Sequence, residues 1–298
     1  KYLPLFRFGQ QSQLKAIFTE TNAVLLSKWN RGPSFTQVDH PCAVLKRWLG
    51  FRLDAGRPIE DFLEHTARVS PDIPGFLING AVFPNPLRYA RSPEPWGRTR
   101  PMDIATGMIH GDLNTNNILV KFTENSQSIE GYYLIDFALF KQDLPLLYDQ
   151  RYLEMSYLML ALSQVPFGKL AELLGLMAEV DILDPQHAPI EMAGAGSVIA
   201  AARQAFADWV QEKHPSLHDD LWGQYWLAGT AAGLSYTHKA GLPDEQRLAG
   251  LIYAAANLKR FCLTFNLLLP TQVKLLYDLH QAEEGISGDS KATRSQHN

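Results

Sequence analysis

Several features that would narrow the role of this chain are scarce or missing. Only two cysteines, Cys42 and Cys262, occur in 298 residues. Both sit in apolar, helical-looking stretches, which excludes a disulfide-stapled scaffold and favours a reducing compartment. No apolar run reaches the length needed to cross a bilayer. The longest candidate, 170–180, is interrupted by Glu172 and Glu179, and a cytoplasmic protein is expected. Neither sign of charge dominates. A net charge of −4 and a pI near 6.1 speak against general affinity for nucleic acid or an anionic membrane. The opening Lys-Tyr-Leu-Pro-Leu-Phe has no initiator Met and no signal-peptide layout, so the chain reads as beginning within a larger polypeptide. What is present is ordinary globular material, 46% hydrophobic and 19% charged. It suffices for one large domain or two modest ones.

Along the chain, 12–29 carries apolar residues at helical spacing and ends at Gly32-Pro33. Two shorter helices are expected over 43–53 and 59–69. Residues 71–101 hold seven of the 18 prolines and read as an irregular, surface-running connector with one short strand at 75–78. From Met108 the texture changes. Ile118-Leu119-Val120-Lys121-Phe122 is strand-like, 123–128 is polar turn material, and Tyr132-Tyr133-Leu134-Ile135 is the return strand. Helices are then expected over 148–163, 168–180, 198–213, 219–238, 245–265 and 271–284. The class is α+β and mostly helical. Its parts are a helical start (1–70), a connector (71–104), a hairpin with a helical body (105–285) and a disordered tail (286–298).

Chemistry concentrates in His110-Gly111-Asp112-Leu113-Asn114-Thr115-Asn116-Asn117 and in Ile135-Asp136-Phe137. Asn117 stands where the first strand of the hairpin starts and Asp136 where the second ends, so both belong to one open end. Asp112, on the preceding loop, can face the same space. Carboxylate and carboxamide oxygens suit Mg, and a nearby Asp can orient an attacking hydroxyl. Gly111 permits a tight backbone. His110 is expected to brace the loop by hydrogen bonds.

These segments resemble the catalytic loop and metal-binding segment of the aminoglycoside phosphotransferase and choline kinase superfamily, relatives of protein kinases. The resemblance implies a protein-kinase-like C-terminal lobe with ATP and Mg as cofactors. It implies Asp112 as catalytic base, Asn117 and Asp136 as metal ligands that hold the nucleotide phosphates, and His110 as a structural histidine. Asn114 stands beside them where many relatives carry His or Lys, and Ala138 where protein kinases carry Gly. The acceptor would be a hydroxyl-bearing molecule. With Leu153-Glu154 on the next helix, the chain looks most like the kinase-like "ternary complex associated" domains of bacterial conflict and signalling systems. The alternative this carries is a non-catalytic, pseudokinase-like interaction domain of a larger signalling or antiviral-defence protein.

The nucleotide-covering half of such a site is not evident. No Gly-x-Gly-x-x-Gly precedes His110, and Lys1, Lys15, Lys28 and Lys46 lie at the chain start or on helical patterns. Residues 1–8 read as the end of a hinge, and an upstream lobe or fused module is expected to complete the site. Other candidates have plain readings. Gly194-Ala195-Gly196-Ser197 is expected to be a loop with Ser197 capping the next helix. His214 and His218 flank Pro215 in a solvated loop. Arg88, Arg91, Arg98 and Arg100 form a solubilising basic loop. Trp222, Tyr225, Trp226 and Tyr236 are packing residues. Asp149 and Glu154 either brace the loop, line the acceptor groove, or are ordinary exposed helix-start acids.

Overall fold

The structure is a computed structural model that describes residues 2–5, 11–38, 40–97, 99–122, 129–162, 165–177, 179, 181, 185–187 and 189–277. The expected turn over 123–128 and the tail over 286–298 lie outside the described residues. The fold is α+β and about 59% helical.

Three small sheets share a helical body. The first joins β1 (Tyr2–Pro4), β6 (Ile118–Phe122) and β7 (Ile129–Leu134) in the order β1-β6-β7. The second joins β2 (Ser34–Val38), β5 (Met102–Ile109) and β8 (Lys141–Pro145) in the order β2-β5-β8. The third joins β3 (Gly75–Ile78), β4 (Ala81–Pro84) and β9 (Val273–Tyr277) in the order β4-β3-β9. The helices are α1 (Gln11–Val24), α2 (Pro41–Leu49), α3 (Pro58–Asp61), α4 (Pro86–Arg91), α5 (Tyr148–Leu162), α6 (Phe167–Met177), α7 (Ala193–Lys213), α8 (His218–His238) and α9 (Asp244–Thr264). Helices α1 and α3 each run on into one π-helical turn, at Leu25–Trp29 and Phe62–Thr66.

Four expectations are corrected. Within the expected helix over 271–284, Val273–Tyr277 form strand β9 instead, which pairs in parallel with β3, and 278–284 lie outside the described residues. The start of the chain is not wholly helical, because β1 pairs with the hairpin strand β6 and β2 pairs with β5. The Pro-rich segment is not a surface-running connector. It forms the β3–β4 hairpin and α4, with Pro86 in the first turn and Asn85 Oδ1 accepting from Leu87 N at 3.0 Å. It also buries Phe76, Phe83, Leu87, Tyr89 and Trp96. Its prolines sit at strand ends and helix starts, where a missing N–H costs nothing. Finally, Gly194 to Ser197 lie inside α7, whose first turn begins before them.

Helix α8 explains why the body holds together. It is apolar around nearly its whole circumference and is buried from Asp220 to Thr237, as a central helix must be. It crosses α9 closely enough that a Cβ on Gly233 would lie 2.4 Å from the Gly250 oxygen. Trp222, Tyr225, Trp226 and Tyr236 are core residues, as expected. The same core holds an ionic cluster. Glu154 accepts from both Arg151 and Arg203, with all three side chains at most 2% exposed. Tyr253 Oη donates to Glu154 at 2.9 Å, and the Arg151 guanidinium lies 4.3 Å from the Tyr225 ring centre.

The arginines of the expected basic loop are largely occupied at home. Arg88 pairs with Glu94 at 2.9 Å, Arg91 with Glu60 at 2.9 Å and Arg100 with Asp220 at 2.6 Å, while Arg98 lies outside the described residues. His214 packs edge-on to Trp209, and His218 lies 3.0 Å from Asp219. Among the described residues no three His, Cys, Asp or Glu side chains are grouped to hold a metal, and no helix is long and apolar enough to cross a membrane. Cys42 and Cys262 are both buried and free.

Candidate functional site

Strand β5 delivers the chain to the site, and side-chain amides hold it there. Gln224 accepts from Ala105 N and donates back to its oxygen, both at 2.8 Å. Asn30 does the same at Met108, at 2.8 and 3.1 Å. Each amide stands in for a neighbouring strand. The loop that follows is anchored at both ends in apolar packing. Ile109 belongs to the main core, whereas Leu113, Ile118 and Val120 belong to a second one formed with Leu14, Ile17, Phe18 and Leu153. Ile118 and Val120 alternate inward with Leu119 and Lys121 facing outward, the period of a half-buried strand.

Helix α5 clamps this loop at two points. Asp149, in its first turn, accepts from His110 N at 2.6 Å and from Gly111 N at 2.9 Å. Two turns later Ser156 Oγ accepts from Thr115 N at 3.0 Å and meets Thr115 Oγ1 at 3.0 Å. Asp149, Leu153 and Ser156 share one helix face because they are spaced by four and three residues. Asp149 is fully buried. Burial pushes its pKa up to about 6 against the pull of the two amides, so it is a carboxylate at neutral pH.

Gly111 has φ +84, and a Cβ there would lie 2.3 Å from the Leu139 oxygen. Both facts demand glycine. His110 is fully buried, its Nε2 donates to the Ile135 oxygen at 2.8 Å, and its ring lies 4.9 Å from that of Phe137. It ties the loop to the segment carrying Asp136, as a bracing histidine would.

The hairpin register does the rest. Ile118 pairs with Leu134, and Ile135 N donates to the Asn117 oxygen at 3.0 Å. Asn117 and Asp136 therefore stand at the same open end. Asn117 Nδ2 donates to the Asp112 carbonyl at 2.8 Å and lies 3.5 Å from Asp112 Oδ2. Asp136 adopts a left-handed backbone at φ 61, ψ 66, a conformation Asp tolerates better than most residues. Asn114 works within the loop. It donates from Nδ2 to the Asp112 oxygen at 3.2 Å and accepts from Asn116 N at 2.9 Å. The oxygens of Asn117 and Asp136 suit a hard divalent cation.

Four residues around Asp112 escaped the sequence reading. Tyr152 lies beside Asp112, and burial together with the neighbouring Tyr148 and Tyr236 drives its pKa up. Lys239, just past α8, has its Nζ 4.6 Å from the Tyr236 ring centre and 5.2 Å from that of Tyr152. Burial lowers its pKa while Asp112 opposes the shift. Arg52 is close enough to lower it further. Ser156 is the fourth. Each lies far from residues 110–117 in sequence, and only the i, i+7 relation of Asp149 and Ser156 gave any signal.

Residues 56–226 match the family model of ternary complex associated domain 9. The chain belongs to this family. The match takes in the loop, the hairpin, α5 to α7 and the first part of α8. Arg52, Lys239 and all of α9 lie beyond the segment matched by the ternary complex associated domain. No curated protein and no solved structure matches the chain.

Proposed function

We propose that this domain is a protein-kinase-like C-terminal lobe that takes part in transfer of the ATP γ-phosphate to a hydroxyl acceptor. The observation that carries the reading is the convergence of Asp112, Asn117 and Asp136 at one end of the β6–β7 hairpin, on a loop held rigid by Asp149 and Ser156. In this reading Asp112 orients the acceptor hydroxyl and receives its proton. Buried Tyr152 borders the Asp112 side of the site. Asn117 and Asp136 would hold Mg, which would supply charge neutralisation at the nucleotide phosphates. His110, Gly111 and Asn114 keep these groups in register. Precise placement of this kind is what phosphoryl transfer asks of a protein.

An upstream nucleotide-covering lobe would complete the site. Phe137, Leu139 and Phe140 are all more than a third exposed beside Asp136, and an apolar surface at that place suits a docked module. The same exposed aromatics and the family's description as a complex-associated domain favour a second reading, a non-catalytic interaction domain. Calorimetry with Mg·ATP separates the two, using this domain alone and extended upstream, each with and without Asp136→Ala. Binding by the extended protein that Asp136→Ala abolishes supports phosphotransfer. Absence of binding in both proteins leaves the interaction domain.

A further inference from the structure

Beside the Gly111 turn lies a pocket of about 220 Å³ that the proposed chemistry does not use. It is lined by Arg47, Arg52 and Lys141 together with the apolar side chains of Trp48, Ile109, Leu139, Leu144 and Tyr148. No carboxylate lines it. Among the described residues, none of the three cations is ion-paired. Arg47 is steadied by the Asp143 carbonyl and Arg52 by the Leu49 carbonyl at 3.4 Å. The polar groups of the apolar part of the lining are spoken for. Trp48 Nε1 donates to Pro145 O at 2.8 Å and Tyr148 Oη to Ser235 Oγ at 2.9 Å. Two acids adjoin the turn: Asp112 directly follows Gly111, and Asp149 is buried with its oxygens on the His110 and Gly111 amides.

Elsewhere on this protein the arginines that border the core find partners, as Arg88, Arg91, Arg100, Arg151 and Arg203 do. Three unpaired cations around one concave, partly apolar site are thus a departure with a chemical meaning. An anion in the pocket would be attracted by all three, and the apolar part of the lining strengthens that attraction. A carboxylate brings one negative charge, whereas a phosphate monoester brings about 1.5 to 2. Arginine forks match its oxygens. The volume is below that of drug-sized sites, which fits a phosphate on a small molecule.

We propose that the Arg47/Arg52/Lys141 pocket binds a phosphate group, and that in the phosphotransfer reading this group belongs to the acceptor, a small phosphorylated hydroxy compound held beside Asp112. The acceptor assignment rests on that reading, but the pocket's phosphate chemistry does not.

The test is a ³¹P NMR titration of inorganic phosphate into the intact chain at low salt. It is repeated on Arg52→Gln, Lys141→Gln and Asp136→Ala, each first shown by circular dichroism to be folded. Saturable binding is expected, weakened about tenfold by each of the first two substitutions and unchanged by Asp136→Ala. No saturable binding, or equal binding in the two charge variants, overturns the pocket. Competition then identifies the molecule. Displacement by glycerol 3-phosphate while Mg·ATP still binds assigns the pocket to the acceptor. Displacement by Mg·ATP alone assigns it to the nucleotide and overturns the acceptor assignment. If phosphate binds and Mg·ATP binds neither this chain nor the extended one, the phosphotransfer reading falls and the phosphate site stands.

Discussion

Replacing Glu154 by Gln removes the one anion between two fully buried guanidiniums. Arg151 and Arg203 are 0% exposed and both pair with Glu154, which also accepts from Tyr253. Burial alone would raise the Glu154 pKa, but the two guanidiniums overcome it and hold the group below its usual value. The aromatic faces of Tyr225 and Trp226 and the Asn257 amide oxygen contact the arginines. None of these groups neutralises them. Breaking such a buried set from one side costs about 3–5 kcal/mol, because the remaining charges are stranded. Whole-domain stability is only about 5–15 kcal/mol, so the loss is a large fraction of it. For a chain of this size it lowers Tm by about 6–20 °C. Urea denaturation followed by tryptophan fluorescence measures it, with Glu172→Gln as a control. Glu172 pairs with Lys169 on the surface at 3.3 Å, where a pair is worth at most about 1 kcal/mol. The depressed pKa also sets a direction with pH. The Glu154 contribution is present above its unfolded value of 4.5 and is lost as pH falls through the lower folded value. A Glu154→Gln protein within 1 kcal/mol of wild type at pH 7 would refute the argument that this cluster depends on its anion.

Two other outcomes are expected. Gly111→Ala puts a side chain at φ +84 against the Leu139 oxygen. It costs at least about 1–2 kcal/mol from the backbone alone, so a change in urea midpoint equivalent to less than about 0.5 kcal/mol, the usual scatter of surface substitutions, would contradict that geometry. Asp149 titrates near 6 when folded against 3.8 as its ordinary value, mainly through burial. Its stabilising share is therefore full below about pH 4 and is lost as pH rises to about 6, by up to about 3 kcal/mol. The stability gap between wild type and Asp149→Asn should narrow between pH 4.5 and 7. Parallel pH profiles for the two proteins would show that Asp149 is not the group responsible.

Much of the helical body was legible because its signals are local. The expected helices over 148–163, 219–238 and 245–265 agree within a residue or two with α5, α8 and α9. Strand β6 was legible from alternation, and β3 from a short apolar run between turn residues. Misreadings arose where distant partners decide. Residues 273–277 become a strand because the edge of β3 is available to them. The Pro-rich segment becomes core because its aromatics meet α9, with Trp96 packed edge-on to Phe261. Strands β5 and β8 were missed because neither shows clean alternation, and β5 is placed by ladder partners, β2 and β8, that are distant in the chain.

The sequence by itself determined the covalent order that matters: a loop bearing His110, Gly111, Asp112 and Asn117, one strand, a return strand and Asp136. Pairing two adjacent strands is a local event, so the meeting of Asn117 and Asp136 follows from that order. Only the tertiary structure decided what surrounds them. Asp149 and Ser156 reach the loop from a later helix, Tyr152 and Lys239 crowd Asp112, and Arg47, Arg52 and Lys141 gather around one pocket. Those encounters depend on how helices pack across long chain separations, and packing is set by the whole core rather than by any segment of it.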